Sequence, residues 1–221
     1  MTKTIVVTGA NRGIGLSLCG HYKAQGATVY AVCRSISPAL EALGINVVEG
    51  IDVGRGDGAP RLKAALGDRS IDVLINNAGI LRNEVLGSID YDSIRQQFEV
   101  NALGPLRISE ALMDNLKAGA KLALVTSRMG SIADNTSGGR YGYRMSKVAL
   151  NIAGKSLAED LKSNGVAVAM VHPGLVGTDM IGGHGDITPD EAAERIVQRI
   201  DQLTLENSGT FWHSNGDVLP W

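Results

Sequence analysis

Thr4-Ile5-Val6-Val7-Thr8-Gly9-Ala10-Asn11-Arg12-Gly13-Ile14-Gly15 is the stretch whose reading decides the fold. Its first five residues are apolar or β-branched without alternation, the pattern of a parallel strand buried on both faces. Three glycines follow in a G-x3-G-x-G spacing, and a helical pattern then runs from Leu16 to Gln25 and stops at Gly26. Strand, glycine loop and helix in that order make a phosphate cradle. Gly9 permits the sharp turn, Gly13 lets a pyrophosphate approach the backbone, and Gly15 lets the helix pack closely on the strand. The N–H groups and partial positive charge of the helix N-terminus then face the phosphates. The spacing differs from the G-x-G-x-x-G of most dinucleotide enzymes, but the strand before it and the helix after it are the context that such a motif requires.

The rest of the chain alternates strand and helix in the same way. A second strand, Thr28 to Cys33, ends at Arg34, where NAD-binding proteins generally carry an acidic residue for the ribose 2′-hydroxyl and an arginine accommodates a 2′-phosphate. With Arg12 in the loop, two cations are expected to converge on the adenosine end, so NADP(H) is expected over NAD(H). Asn46 to Ile51 reads as a third strand followed by Asp52-Val53, where Asp52 either accepts from an adenine amino group or caps a turn. A short helix spans Ala59 to Leu66. Ile71 to Ile75 is a buried strand leading into Asn76-Asn77-Ala78-Gly79, small and amide residues suited to the crevice at a strand's carboxyl end. A long helical stretch from Asp92 to Asn115 carries Asn101 in its middle, a residue usually solvated or slightly helix-bending there, and Gly104-Pro105 suggests a kink. Lys121 to Thr126 is a fifth strand ending at Ser127, Tyr143 begins a helix reaching about Asn164, and Val166 to Val171 is a sixth strand running into His172-Pro173-Gly174. Thr188-Pro189-Asp190-Glu191 opens a last helix with an N-cap threonine, proline at the first position and acidic residues in the first turn. Gly209 to Trp212 reads as a closing strand.

Composition excludes several classes. The 221 residues suit one α/β domain with a full core, 1–221, and no linker, repeat or composition break divides them. The net charge of -2 comes without a basic stripe or aromatic-basic alternation, so nucleic acid is not an expected partner. No apolar run reaches membrane-span length, and Met1-Thr2-Lys3 leads straight into a strand, so a cytoplasmic protein without a membrane partner is expected. Cys19 and Cys33 read as a buried helix residue and a strand end, and the four histidines form no ligand cluster, so no metal is expected.

Tyr143 and Lys147 stand four positions apart at the start of a helix, so that an ammonium sits one turn from a phenol. A neighbouring cation favours phenolate and would bring the tyrosine closer to the working range of a general acid. Tyr141 is a competing phenol with no lysine four residues on, and reads as a packing or substrate-wall residue. With the glycine loop, Asn76-Asn77-Ala78-Gly79, Asn101, Ser127, Tyr143-x3-Lys147 and Pro173-Gly174 all in order, the chain resembles the short-chain dehydrogenase/reductase family from end to end. Gly138-Gly139-Arg140-Tyr141-Gly142-Tyr143-Arg144, the long Ser127 to Tyr143 gap and the ending Asp217-Val218-Leu219-Pro220-Trp221 look most like its compact carbonyl reductases of the sniffer and C-factor type.

That resemblance implies a Rossmann-type α/β fold: a doubly wound parallel sheet of about seven strands, order 3-2-1-4-5-6-7, with helices on both faces. It implies a catalytic set of Asn101, Ser127, Tyr143 and Lys147. It places cofactor contacts on Gly9, Asn11, Arg12, Gly13, Ile14 and Gly15, on Arg34, Asp52 and Val53, and on Asn77, Ala78 and Gly79. Tyr143, Lys147, Pro173, Gly174, Val176 and Thr178 complete that set. The implied reaction is NADPH-dependent reduction of an aldehyde or ketone to an alcohol, or its reverse, in a homodimer or homotetramer. The long gap leaves Ser131 and Ser137 beside Ser127 as alternatives for the carbonyl-orienting serine. Ser127 is preferred because it ends a strand and carries the S-x-x-G pattern. Only about fifteen residues separate Pro173-Gly174 from the last helix, a short glycine-containing lid that suggests an open site. A cofactor-binding signalling protein of the C-factor kind with little turnover is the alternative reading. Replacing Arg34 by Glu is expected to weaken NADPH binding by at least about tenfold while sparing NADH, measured by fluorescence titration of both cofactors, since a 2′-phosphate would then meet a like charge. An unchanged NADPH affinity would remove the assignment of Arg34.

Overall fold

The computed structural model describes residues 2–221. Seven parallel strands form one sheet in the order β3-β2-β1-β4-β5-β6-β7: β1 Thr4–Thr8, β2 Thr28–Val32, β3 Asn46–Val48, β4 Ile71–Asn76, β5 Leu116–Val125, β6 Ala167–His172 and β7 Thr210–His213. The helices are α1 Gly13–Ala24, α2 Pro38–Glu41, α3 Gly58–Leu66, α4 Tyr91–Phe98, α5 Gly104–Ala111, α6 Tyr141–Asp160 and α7 Pro189–Asp201. The expected doubly wound sheet and its strand order are therefore present.

Successive side chains on each strand enter different layers, because strand periodicity is two. Ile5, Val7, Val73, Ile75, Ala123, Val125, Ala169 and Val171 pack under α1 and α7. Val6, Leu74, Leu122, Leu124, Val168 and Met170 pack under α3, α5 and α6. Both faces of every central strand are covered, which explains their unbroken apolar runs. The buried residues of α1, Gly15, Leu18, Cys19 and Tyr22, fall at i, i+3, i+4 and i+7, one stripe of a helix. Those of α7, Ala192, Ala193, Ile196, Val197 and Ile200, repeat that spacing. Thr188 caps α7 by accepting from Glu191 N at 3.1 Å, as its sequence signature requires.

The long helix expected from Asp92 to Asn115 is interrupted. Between α4 and α5 the backbone makes a π-helical turn over Glu99–Leu103, and the stretch ends in a 3-10 turn, Met113–Asn115. The kink expected at Gly104-Pro105 is centred instead on Asn101, which is fully buried rather than solvated. Its side chain has found partners outside the helix, which fixes the irregular turn. Other boundaries move by a few residues: β3 stops at Val48, β5 starts at Leu116, and α6 begins at Tyr141, two residues before the expected Tyr143. The four-residue α2, capped by Ser37 accepting from Leu40 N, has too short a pattern to be seen in the sequence.

The crossover between β1 and β4 is stitched at its carboxyl end. Asn77 Nδ2 donates to the carbonyls of Thr8 and Gly9 at 3.0 and 3.2 Å, while Thr8 Oγ1 accepts from Asn77 N and Ala78 N at 3.0 and 3.2 Å. Gly15 lies beneath this knot, where a Cβ would stand 2.3 Å from the Gly9 carbonyl oxygen and 2.6 Å from Asn77 Nδ2. The close packing that the third loop glycine was expected to permit is therefore real. Gly15→Ala is expected to cost roughly 1–3 kcal/mol of stability in urea unfolding, because backbone rather than a flexible side chain must give way.

Candidate active site

A cleft of about 360 Å3 runs along the carboxyl ends of β1, β2, β4, β5 and β6, spanning the β1/β4 crossover, and contains the predicted chemistry. That is where ligands of open α/β sheets bind. Gly9, Asn11, Arg12, Gly13 and Ile14 form its floor, with Arg34, Asp52 and Val53 at one end and Tyr143, Lys147, Pro173 and Thr178 at the other. Asn77, Ala78 and Gly79 line the middle. Gly15, Gly174 and Val176, also expected at the cofactor, are not among the residues that line it. A dinucleotide fits the donor set. The N-cap of α1, Arg12, makes no side-chain cap and the first turn holds no acidic residue, so the helix N-terminus is open to an anion.

Both arginines line the cleft. Arg12 Nη1 pairs at 3.3 Å with Asp179 Oδ2 on the segment between β6 and α7, whereas Arg34 lines the adenosine-side end. Both Arg12 and Asp179 are largely exposed, so the pair is weak and exchangeable. Asp52 caps a turn, Oδ1 accepting from Gly54 N at 3.0 Å, and also lines the cleft, so its two sequence readings are compatible.

At the other end the structure gathers Tyr143, Lys147, Ser127 and Asn101. Tyr143 occupies the third position of α6 and Lys147 the next turn, with Lys147 Nζ 5.7 Å from the phenol ring centroid. Lys147 is only 4% exposed, and Nζ donates to Val125 O at 3.0 Å. Burial pulls its pKa down to about 8, still mostly charged at neutral pH. The net shift of the phenol is upward, opposite to the pull expected from Lys147. Burial dominates and raises the Tyr143 pKa, while the Ser127 hydroxyl and the Arg140 charge offset part of the rise. The reason is that the ammonium turns to a carbonyl beneath the sheet end and the phenol is left in low-dielectric surroundings.

The three candidate serines separate cleanly. Ser127 ends at the phenol and caps the following 3-10 turn by accepting from Met129 N at 3.1 Å. Ser131 donates to Trp221 O at 3.2 Å, and exposed Ser137 accepts from Arg144 Nη2 at 2.7 Å. Asn101 has both amide hydrogens and one oxygen lone pair occupied: Oδ1 accepts from Ile80 N at 2.8 Å, and Nδ2 donates to Ile80 O at 2.8 Å and Ser146 Oγ at 3.0 Å. Gly79 sits between Asn101 Oδ1 and Lys147 Nζ, 3.3 and 3.7 Å from where its Cβ would be. Tyr141 turns away, lining a separate apolar groove with Phe98, Met145 and Val148. His172, the last residue of β6, packs edge-on to His213 with centroids 4.9 Å apart. Burial, then His213, depress its pKa to about 3, so it is neutral at physiological pH.

Sequence reasoning missed the residues that hold this end in place. Asp179 and Ile80 carry no local signature, and Glu84 lies in an irregular segment where no periodicity marks it as buried, yet it is 3% exposed.

Residues 3–188 match the family model described as short chain dehydrogenase. The chain is 43% identical over 224 residues, 99% of each chain, to 1-hydroxy-2-glutathionyl-2-methyl-3-butene dehydrogenase of Rhodococcus sp. strain AD45. It superposes with a TM-score of 0.89 on NADPH-bound carbonyl reductase from chicken fatty liver, at 28% identity and covering 100% of this chain and 99% of that one. The carbonyl reductase Sniffer of D. melanogaster superposes equally well, TM-score 0.89 at 29% identity, with both chains fully covered.

Lys147 supplies a test of its own. Its folded pKa lies below the unfolded 10.5, so the unfolded chain binds the extra proton between pH 10.5 and 8 and stability falls as pH drops through that window. Below pH 8 the penalty is constant. Lys147→Met is therefore expected to be more stable than wild type at pH 7, by up to about 3 kcal/mol, with the difference shrinking as pH rises from 8 towards 10.5. Thermal unfolding across that range checks it.

Proposed function

The chain belongs to the short-chain dehydrogenase family and is an oxidoreductase by that membership, and on this premise we propose that it reduces aldehyde or ketone carbonyls with NADPH, or runs the reverse reaction. The observation that carries the reading is a dinucleotide-sized cleft whose inner end is lined by the phenol of Tyr143 and the ammonium of Lys147 one helical turn apart. NADP(H), when bound, supplies or accepts the hydride.

Gly9, Asn11, Gly13 and Ile14 would hold the pyrophosphate, Arg34 the 2′-phosphate, Asp52 and Val53 the adenine, and Thr178 the nicotinamide carboxamide. The NADPH-bound neighbour supports that choice of cofactor. Ser127 donates to the carbonyl oxygen and orients it, and Tyr143 delivers the proton. The raised pKa of the phenol keeps that proton on Tyr143 until the oxygen becomes basic, which suits an acid in the reduction direction. Lys147 lies one turn below, where it can exchange Val125 O for a nicotinamide ribose hydroxyl and bring its charge to bear on the phenol. Asn101 clamps Ile80 and Ser146, and the water that leads protons towards Lys147 uses the remaining lone pair of its Oδ1 beside Gly79.

The segment between β6 and α7 contains only a three-residue 3-10 turn, Asp179–Ile181, with Gly182 and Gly183 at positive φ behind it. So short a lid encloses little, which favours carbonyl substrates of several sizes. The outer faces of α5 and α6 expose Leu106, Met145 and Ile152, and pairing of two chains through these helices completes the reading as a homo-oligomer. Residues 1–221 act as one unit, and the two free, buried cysteines suit the reducing cytoplasm.

Tyr143→Phe is the deciding variant. NADPH-dependent reduction across a carbonyl panel is expected to fall by at least about 100-fold with NADPH affinity retained, since a phenyl ring fills the site without a proton to give. Wild-type protein that binds NADPH and turns over no member of the panel would favour a cofactor-binding signalling role instead.

A further inference from the structure

Helix α6 starts without a cap of its own. Its N-cap residue, Arg140, offers no side-chain hydrogen bond and adopts a left-handed backbone, φ 50 and ψ 46, the one non-glycine residue at positive φ among those described. The helix start is nevertheless buried and close-packed. A Cβ at Gly142 would stand 2.5 Å from Gln97 Nε2 and 3.1 Å from the Ile94 backbone, so residue 142 touches α4 directly. First-turn N–H groups buried without partners would be costly, and Tyr143 is the next residue along.

Glu84 supplies the missing partner from the segment between β4 and α4. Its Oε2 accepts from Gly142 N at 3.0 Å, and its main-chain oxygen accepts from Arg140 N at 3.0 Å. One residue thus holds both the left-handed Arg140 and the close-packed Gly142 that lead into Tyr143. Its other carboxylate oxygen, Oε1, accepts from Gln97 Nε2 at 2.6 Å and from Ser93 Oγ at 2.9 Å, both on α4. Gln97 cannot turn over to suit a different neighbour, because its Oε1 already accepts from Arg82 N at 3.0 Å. Gln97 is fully buried and Glu84 nearly so, so water cannot substitute for a lost bond.

We infer that Glu84 is a positioning residue for Tyr143: a buried carboxylate that caps α6 across the fold and fixes the phenol relative to Ser127 through the α4–α6 contact. The inference rests on the reading of Tyr143 as the proton donor. The role is geometric, since Glu84 touches neither the cleft nor the phenol.

The donor and acceptor pattern gives a specific experiment. Glu84→Gln keeps an oxygen for Gly142 N but sets an amide NH2 against Gln97 Nε2, donor facing donor. Adding Gln97→Glu restores the bond between residues 84 and 97 with its direction reversed and keeps an acceptor for Arg82 N, giving up only the long 3.4 Å bond from residue 97 to Ser93 O. E84Q is expected to lower kcat by about 10- to 100-fold, as a displacement of the order of an ångström at a reacting group does, with KM and the NADPH dissociation constant within about twofold of wild type. E84Q/Q97E is expected to recover most of the lost kcat. Amide hydrogen exchange in the first turn of α6 should quicken in E84Q and return to wild-type protection in the double variant, a readout that needs no turnover. Should E84Q fail to fold, Ser93→Ala removes one of the four bonds and is expected to give the same changes in weaker form. Unchanged kcat and unchanged exchange in these variants would overturn the inference, as would loss of kcat that the double variant does not restore. Absence of wild-type turnover with the exchange changes present would instead overturn the reading of the reaction and leave the capping intact.

Discussion

The structure depends on a close approach that only glycine allows. Where β1 runs into α1, the Gly9 carbonyl lies where a side chain on residue 15 would have to be, and the Asn77 amide crosses the same space to reach the carbonyls of Thr8 and Gly9. This contact brings the start of α1 under the sheet, ties the carboxyl ends of β1 and β4 together, and opens the cleft between them. An anion-binding helix terminus and a crossover crevice are thus consequences of one steric fact. The opposite end of the cleft is built by a different force. Burial of polar and ionisable groups, Lys147, Asn101, Ser127 and Glu84 among them, forces each to find a partner, and the partners come from four separate segments.

These two forces differ in how well a sequence displays them. The layers and the glycine loop follow from local period and composition, so β1, the start of α7 with its Thr188 cap, and α1 to within three residues could be read. The pairing of Tyr143 with Lys147 was legible for the same reason, since i and i+4 share a helix face. Tertiary partners were not. Asn101 looked like a solvated helix residue because its partners, Ile80 and Ser146, are distant in sequence and one of them is backbone. Arg12 looked free because nothing in its neighbourhood announces Asp179, 167 residues away. Burial also reversed the electrostatic expectation at the phenol, for spacing gives the distance between two groups but not the dielectric around them.

The cleft and the family together make a consistent chemical object. A buried pair of Tyr143 and Lys147 at the wall of a cleft is unfavourable for stability, which is the usual sign of a site shaped by function. The chain keeps its lid short and concentrates rigidity in α6, whose first turn is held by neighbours on two sides. Rigidity is thereby placed at Tyr143 and freedom at the mouth of the cleft.

The π-helical turn at Glu99–Leu103 has a further consequence for how this chain can vary. A wide turn holds one more residue than a regular one, so it behaves as an insertion absorbed inside a helix without disturbing either end. Deleting a single residue there would produce a smoother helix and a worse protein. Everything downstream would rotate by roughly 100°, swinging the buried side of α5, Ile108 and Ser109, off the sheet and pulling Asn101 away from Ile80. The irregular turn therefore acts as a phase adjuster between two helical halves, and it makes the length of this segment far less negotiable than its sequence.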